Sequence, residues 1–184
     1  MNGSVWYLMR ASGVVSLLLL TAVFVLGIAT TSRVRTRSLP GYAAVGLHRS
    51  IALLSVVFLG LHVLTAVADP YAAVGLAAVA VPFLAGHSAF WVGLGALSVD
   101  LTAALIVTSL LRGRFGLRTW RAVHWLAYLA WPLALGHSLG LGSDTGTLWL
   151  RVLAVGCIAA AGGAVALRVW RVNRGVKHLR PQTA

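Results

Sequence analysis

Apolar residues in this chain fall in long uninterrupted stretches and do not alternate with polar ones. The stretches cover about 11–32, 43–68, 89–111, 120–141 and 147–169. Each is close to the roughly 20 residues that an α-helix needs to cross the ~30 Å hydrocarbon core of a bilayer. Only helices and closed barrels satisfy their backbone in that core. The pattern predicts an all-α fold, a polytopic membrane bundle of about five transmembrane helices. The breaks carry turn signals: Pro40-Gly41, Asp69-Pro70 and the run from Gly140 to Gly146. Residues 71–87 are apolar but short, and Gly75, Pro82 and Gly86 interrupt them. They are expected to form an interfacial or re-entrant piece, with a sixth span as the alternative. Trp6 and Tyr7 in the lead segment suit a membrane interface. The lead has no basic region followed by a short core and a cleavage site, so the first stretch is expected to be a retained helix. One integral-membrane domain is expected over 1–184, with its core at about 11–169 and a short basic tail at 170–184.

Charge orients the bundle. The chain has 15 Lys and Arg against 3 Asp and Glu, a net charge of +12, within a sequence that is 59% hydrophobic with a mean hydropathy of +0.90. The basic residues do not form a patch for nucleic acid. They follow the first, third and fifth stretches: Arg33, Arg35 and Arg37; Arg112, Arg114, Arg118 and Arg121; then Arg168, Arg171, Arg174, Lys177 and Arg180. The other two connections carry Asp69 and Asp144. By the positive-inside rule the N-terminus lies outside and the C-terminus in the cytoplasm, in the cell membrane. A sixth span at 71–87 would put the later basic segments outside, against this bias. A single cysteine, Cys157, excludes an intramolecular disulfide.

The candidate chemistry lies in four histidines. His48 and His62 are 14 residues apart on the second stretch, and His124 and His137 are 13 apart on the fourth. Each spacing spans about 20 Å of helix, so each helix offers one imidazole toward each membrane face. The two stretches run in the same direction under the charge-derived topology. His48 therefore pairs with His124 near the inner face, and His62 with His137 near the outer face. Two imidazoles across a gap suit a six-coordinate haem iron, and histidine inside a membrane is costly unless it has a function. Without a CxxCH motif any haem is non-covalent, of b type. Gly46, Gly60 and Gly136 lie within two residues of a histidine and would let a porphyrin face approach. Arg49 and Arg121 flank the inner pair and suit haem propionates. Arg10, Arg151 and His87 are the corresponding outer candidates, with His87 read first as an interfacial residue. Asp100, in the middle of the third stretch, is expected to be protonated or paired, in a structural hydrogen bond or a proton path. Trp120, Trp125, Tyr128 and Trp131 make the fourth stretch aromatic.

Helical phase separates the two pairs. Fourteen residues miss whole turns by about 40°, so His48 and His62 share a face. Thirteen miss by about 140°. A distorted segment near Trp131-Pro132 is therefore expected, where proline removes a backbone hydrogen bond. The residues leave three readings open: an electron conduit through two haems, a haem-binding subunit or sensor without net electron flow, and a haem-free small transporter with the histidines in a proton path.

With GLHRS around His48, GLHVL around His62, RAVHWLAY around His124 and LGHSLG around His137, the chain resembles the ferric reductase-like transmembrane domain family over roughly 11–168. That family includes the membrane parts of ferric reductases and NADPH oxidases and the haem subunit of methionine-sulfoxide reductase systems. The resemblance implies two stacked bis-histidine b-type haems and electron transfer across the membrane, as an oxidoreductase subunit. The flavin domain common in the family has no counterpart after the last stretch. The resemblance therefore implies a separate donor, a cytoplasmic flavoprotein or a membrane quinol, and an extracytoplasmic acceptor.

Overall fold

The computed structural model describes residues 3–31, 40–70, 72, 74–141 and 146–177. Arg33, Arg35, Arg37, Asp144 and Arg180 lie outside them. Among the described residues the chain forms seven helices and no strand: α1 (Gly3–Thr31), α2 (Gly41–Ala68), α3 (Leu76–Ala80), α4 (Ala89–Leu110), α5 (Arg112–His124), α6 (Ala127–Leu141) and α7 (Leu148–Lys177). Four of them, α1, α2, α4 and α7, are long and apolar enough to cross a membrane.

Helix ends follow the turn chemistry. Pro40 precedes α2 in an extended conformation, and its carbonyl accepts from Ala43 at 2.9 Å. Asp69 ends α2, also extended, as expected for a residue whose helical conformation the following Pro70 disfavours. Residues 71–87 do not form a span. Their described residues hold only the five-residue α3, and Phe83 has a left-handed φ of 69°. The Phe83 ring occupies the space that a Cβ on Gly93 of α4 would fill, so the segment packs against the start of that helix.

The fourth expected span is divided. Its first part ends α5, a helix without a buried residue that carries four arginines and turns at Gly116, where φ is 72°. The chain then turns at Trp125 and Leu126 before α6 begins. At 15 residues, α6 is about 22 Å long. The distortion expected near Trp131-Pro132 thus lies about six residues earlier. Pro132 sits inside α6 and leaves the Tyr128 carbonyl without its usual donor. The preceding turn tightens: Leu126 bonds to Val123, Tyr128 to Trp125 and Leu129 to Leu126, each reaching back three residues instead of four.

Packing is uneven. The extensive helix pairs are α1 with α2 and α4 with α6, while α1 also touches α6 and α7. Leu17, Leu135, Ala154 and Cys157 join α1, α6 and α7 in a buried cluster, with Trp131 and Leu153 against it. Buried polar residues stitch the helices as they do in lipid. Ser98 donates to the Ala130 carbonyl at 2.9 Å, and Trp131 Nε1 donates to Thr21 Oγ1 at 2.9 Å. The histidine-bearing helices α2 and α6 have no extensive packing with each other. A gap between them is the consequence that bears on function.

Candidate functional site

His62 reaches across this gap to His137. Their ring centres are 6.2 Å apart and their planes stand at 79°. Both rings are held from behind by backbone. His62 Nδ1 donates to the Met9 carbonyl of α1 at 2.9 Å, and His137 Nδ1 donates to the Trp91 carbonyl of α4 at 2.9 Å. A carbonyl only accepts, so each Nδ1 carries the ring proton. Nε2 is then the nitrogen with a lone pair, able to bind a metal.

The fit to a haem iron can be judged from these distances. A bond of about 2 Å from metal to each imidazole nitrogen, with each ring centre about 1 Å further back, separates the ring centres by about 6 Å. The observed separation has that size. Among the described residues no three His, Cys, Asp or Glu side chains converge, and the donors that this site offers to a haem iron would be the two imidazoles. A cavity of about 900 Å³ surrounds the pair, lined by Gly13, Gly95, Arg10 and His87 among others. Its wall is mostly apolar, as in ligand sites generally. Arg10 also lies 4.2 Å over the Trp6 ring. Arg151 is not part of this lining.

The second pair lies toward the other ends of the helices. His48 Nδ1 donates to the Val23 carbonyl at 3.1 Å. His124 lies within electrostatic range of His48 and of Arg112. Its ring packs on Trp120 with centres 4.4 Å apart, and Arg112 covers the other ring of that stack at 4.6 Å. His124 Nδ1 is buried without a hydrogen-bond partner among the described residues. Arg49 and Arg121 are exposed, and Asp100 is half-buried in α4.

The glycines that meet the histidines are not those adjacent in sequence. A Cβ on Gly46 or Gly60 would meet nothing within 4 Å, and one on Gly136 would meet Leu94 at 3.3 Å. On Gly13 it would stand 2.9 Å from His62, on Gly27 3.3 Å from His48, and on Gly95 it would overlap His137. One signal was present in the sequence. Gly13 and Gly27 are spaced like His48 and His62, so two antiparallel helices bring both glycines to both histidines.

Residues 12–135, about two thirds of the chain, match the family model described as "Ferric reductase like transmembrane component". The matched region contains His48, His62 and His124 and ends just before His137. No curated protein and no solved structure matches the chain.

Proposed function

Since the chain belongs to the ferric reductase-like transmembrane family, for which electron transfer across a membrane is the general activity, we propose that it is a two-haem conduit. Haem, when bound, supplies an iron that takes up and releases one electron. The protein's part is to bind, orient and insulate. His62 and His137 would hold the haem at one level, and His48 and His124 the haem at the other. The observation that carries this reading is the His62–His137 pair, 6.2 Å apart across a gap, with each Nδ1 tied to a carbonyl.

The remaining assignments follow from position. Arg10, in the lining of the His62–His137 cavity, holds a propionate at that level. Arg49 and Arg121 do so at the other, where each is close in sequence to a ligand. Gly46, Gly60 and Gly136 remain candidates for close porphyrin approach. With the basic connections on the cytoplasmic face, the N-terminus lies outside and the His48–His124 level lies nearer the cytoplasm, in the cell membrane. Electrons pass from a separate cytoplasmic flavoprotein or a membrane quinol to an extracytoplasmic acceptor. A histidine pair at each level would occupy the iron's binding positions, which would suit passage of electrons and disfavour oxygen binding.

The test is a dithionite-reduced minus oxidised spectrum of the purified chain, with haem per chain from a pyridine haemochrome assay. A b-type spectrum with two haems is expected. Absence of haem after expression with ample haem would overturn the proposal.

A further inference from the structure

The same three-part arrangement occurs at three of the four histidines. His62 donates to the Met9 carbonyl and covers Gly13. His48 donates to the Val23 carbonyl and covers Gly27. His137 donates to the Trp91 carbonyl and covers Gly95. In each case the glycine lies four residues after the accepting carbonyl, one helical turn on. A Cβ at that position would crowd the imidazole that reaches the carbonyl, by overlap at Gly95, at 2.9 Å for Gly13 and at 3.3 Å for Gly27. The repeat spans two helix pairs, α1 with α2 and α4 with α6, which makes it a rule of construction and not a local accident.

Resting on the haem-binding reading above, we propose that Gly13, Gly27 and Gly95 are positioning residues. Each seats one imidazole against the carbonyl one turn before it. This fixes the ring proton on Nδ1 and leaves Nε2 for the iron. Groups that hold the far nitrogen of a metal-bound histidine set its tautomer, orientation and basicity. His124 has no such seat. The α4–α6 register that sets Gly95 against His137 would put Thr108 at the glycine's place for His124. Thr108 has a side chain, and its hydroxyl already donates to the Ala104 carbonyl at 2.7 Å. The turn at Trp125 and Leu126 takes His124 off α6 altogether. One level thus has two seated ligands, and the other has one seated and one unseated.

The experiment compares the full chain, haem-loaded in detergent, with Gly13→Ala, Gly27→Ala, Gly95→Ala and Gly156→Ala. Gly156 on α7 faces open space and is the control. Haem affinity is measured by titration, and each ferric haem is followed by low-temperature electron paramagnetic resonance. Gly13→Ala and Gly95→Ala should weaken haem binding at the His62–His137 level by about 10- to 100-fold and shift that signal alone. Gly27→Ala should perturb only the other signal, and less. Unchanged signals and affinities in Gly13→Ala and Gly27→Ala would overturn the seats, as would loss of both signals together in Gly13→Ala. Gly13→Ala carries the test if Gly95→Ala, with the harder overlap, does not fold. A wild type without haem sinks the reading beneath and is seen before any variant is made.

Discussion

The imidazole planes of His62 and His137 stand at 79° to one another, nearly perpendicular, and a different helix holds each ring from behind. Perpendicular axial imidazoles leave the two iron d orbitals that interact with them close in energy. The ferric haem at this level is therefore expected to show a strongly anisotropic low-spin resonance. His62→Ala or His137→Ala should abolish that signal and halve the haem per chain while the other signal persists. An ordinary rhombic low-spin signal from this level, as parallel imidazoles give, would contradict the geometry.

His124 rests on Trp120 without a carbonyl behind it, so its hold on an iron is the weakest of the four. Carbon monoxide added to the reduced protein should displace a ligand at the His48–His124 level first. The responding haem should be retained in His62→Ala and lost, with the haem of its level, in His124→Ala. A response that disappears in His62→Ala would place the weak ligand at the wrong level.

Trp131 ties α6 to α1 through Thr21 and stacks on Phe24 with ring centres 5.5 Å apart. Trp131→Phe keeps most of the ring contact and loses the hydrogen bond, for an expected cost of about 1 kcal/mol. Thermal unfolding in detergent measures it. Thr21→Val removes the same bond and also the one from Thr21 Oγ1 to the Leu17 carbonyl, so the double change should cost about what Thr21→Val costs alone and less than the sum of the two single changes.

Arg168 of α7 donates to the Tyr128 hydroxyl and lies 5.1 Å from the centre of the Trp125 ring. It thereby clamps the turn that separates α5 from α6. Arg168→Gln should lower stability by about 1–2 kcal/mol and weaken haem retention at the His48–His124 level more than at the other. Equal loss at both levels would mean that Arg168 stabilises the bundle generally.

Histidine spacing could be read from the chain because it is a property of single helices. Fourteen residues on α2 set His48 and His62 on one face, whatever else the chain does. The phase mismatch between His124 and His137 also pointed to a break, and Pro132 to its cause. Its position at Trp125 and Leu126 was not legible, because a proline acts on the turn before it and the neighbouring contacts decide how that turn relaxes. The seating glycines were harder still. Gly46 and Gly60 are close to histidines along the chain and face open space, while Gly13, Gly27 and Gly95 are distant along the chain and in contact.

The sequence by itself determined a bundle of apolar helices and the spacing of the paired histidines along the chain. These depend on hydrophobic length and helical period, both of which are local. Only the tertiary structure decided which carbonyl holds each imidazole, which ring nitrogen remains for a ligand, and that His124 is held differently from the rest. Those depend on the register between helices, and register is set where side chains meet a neighbour's backbone and a missing Cβ lets them close.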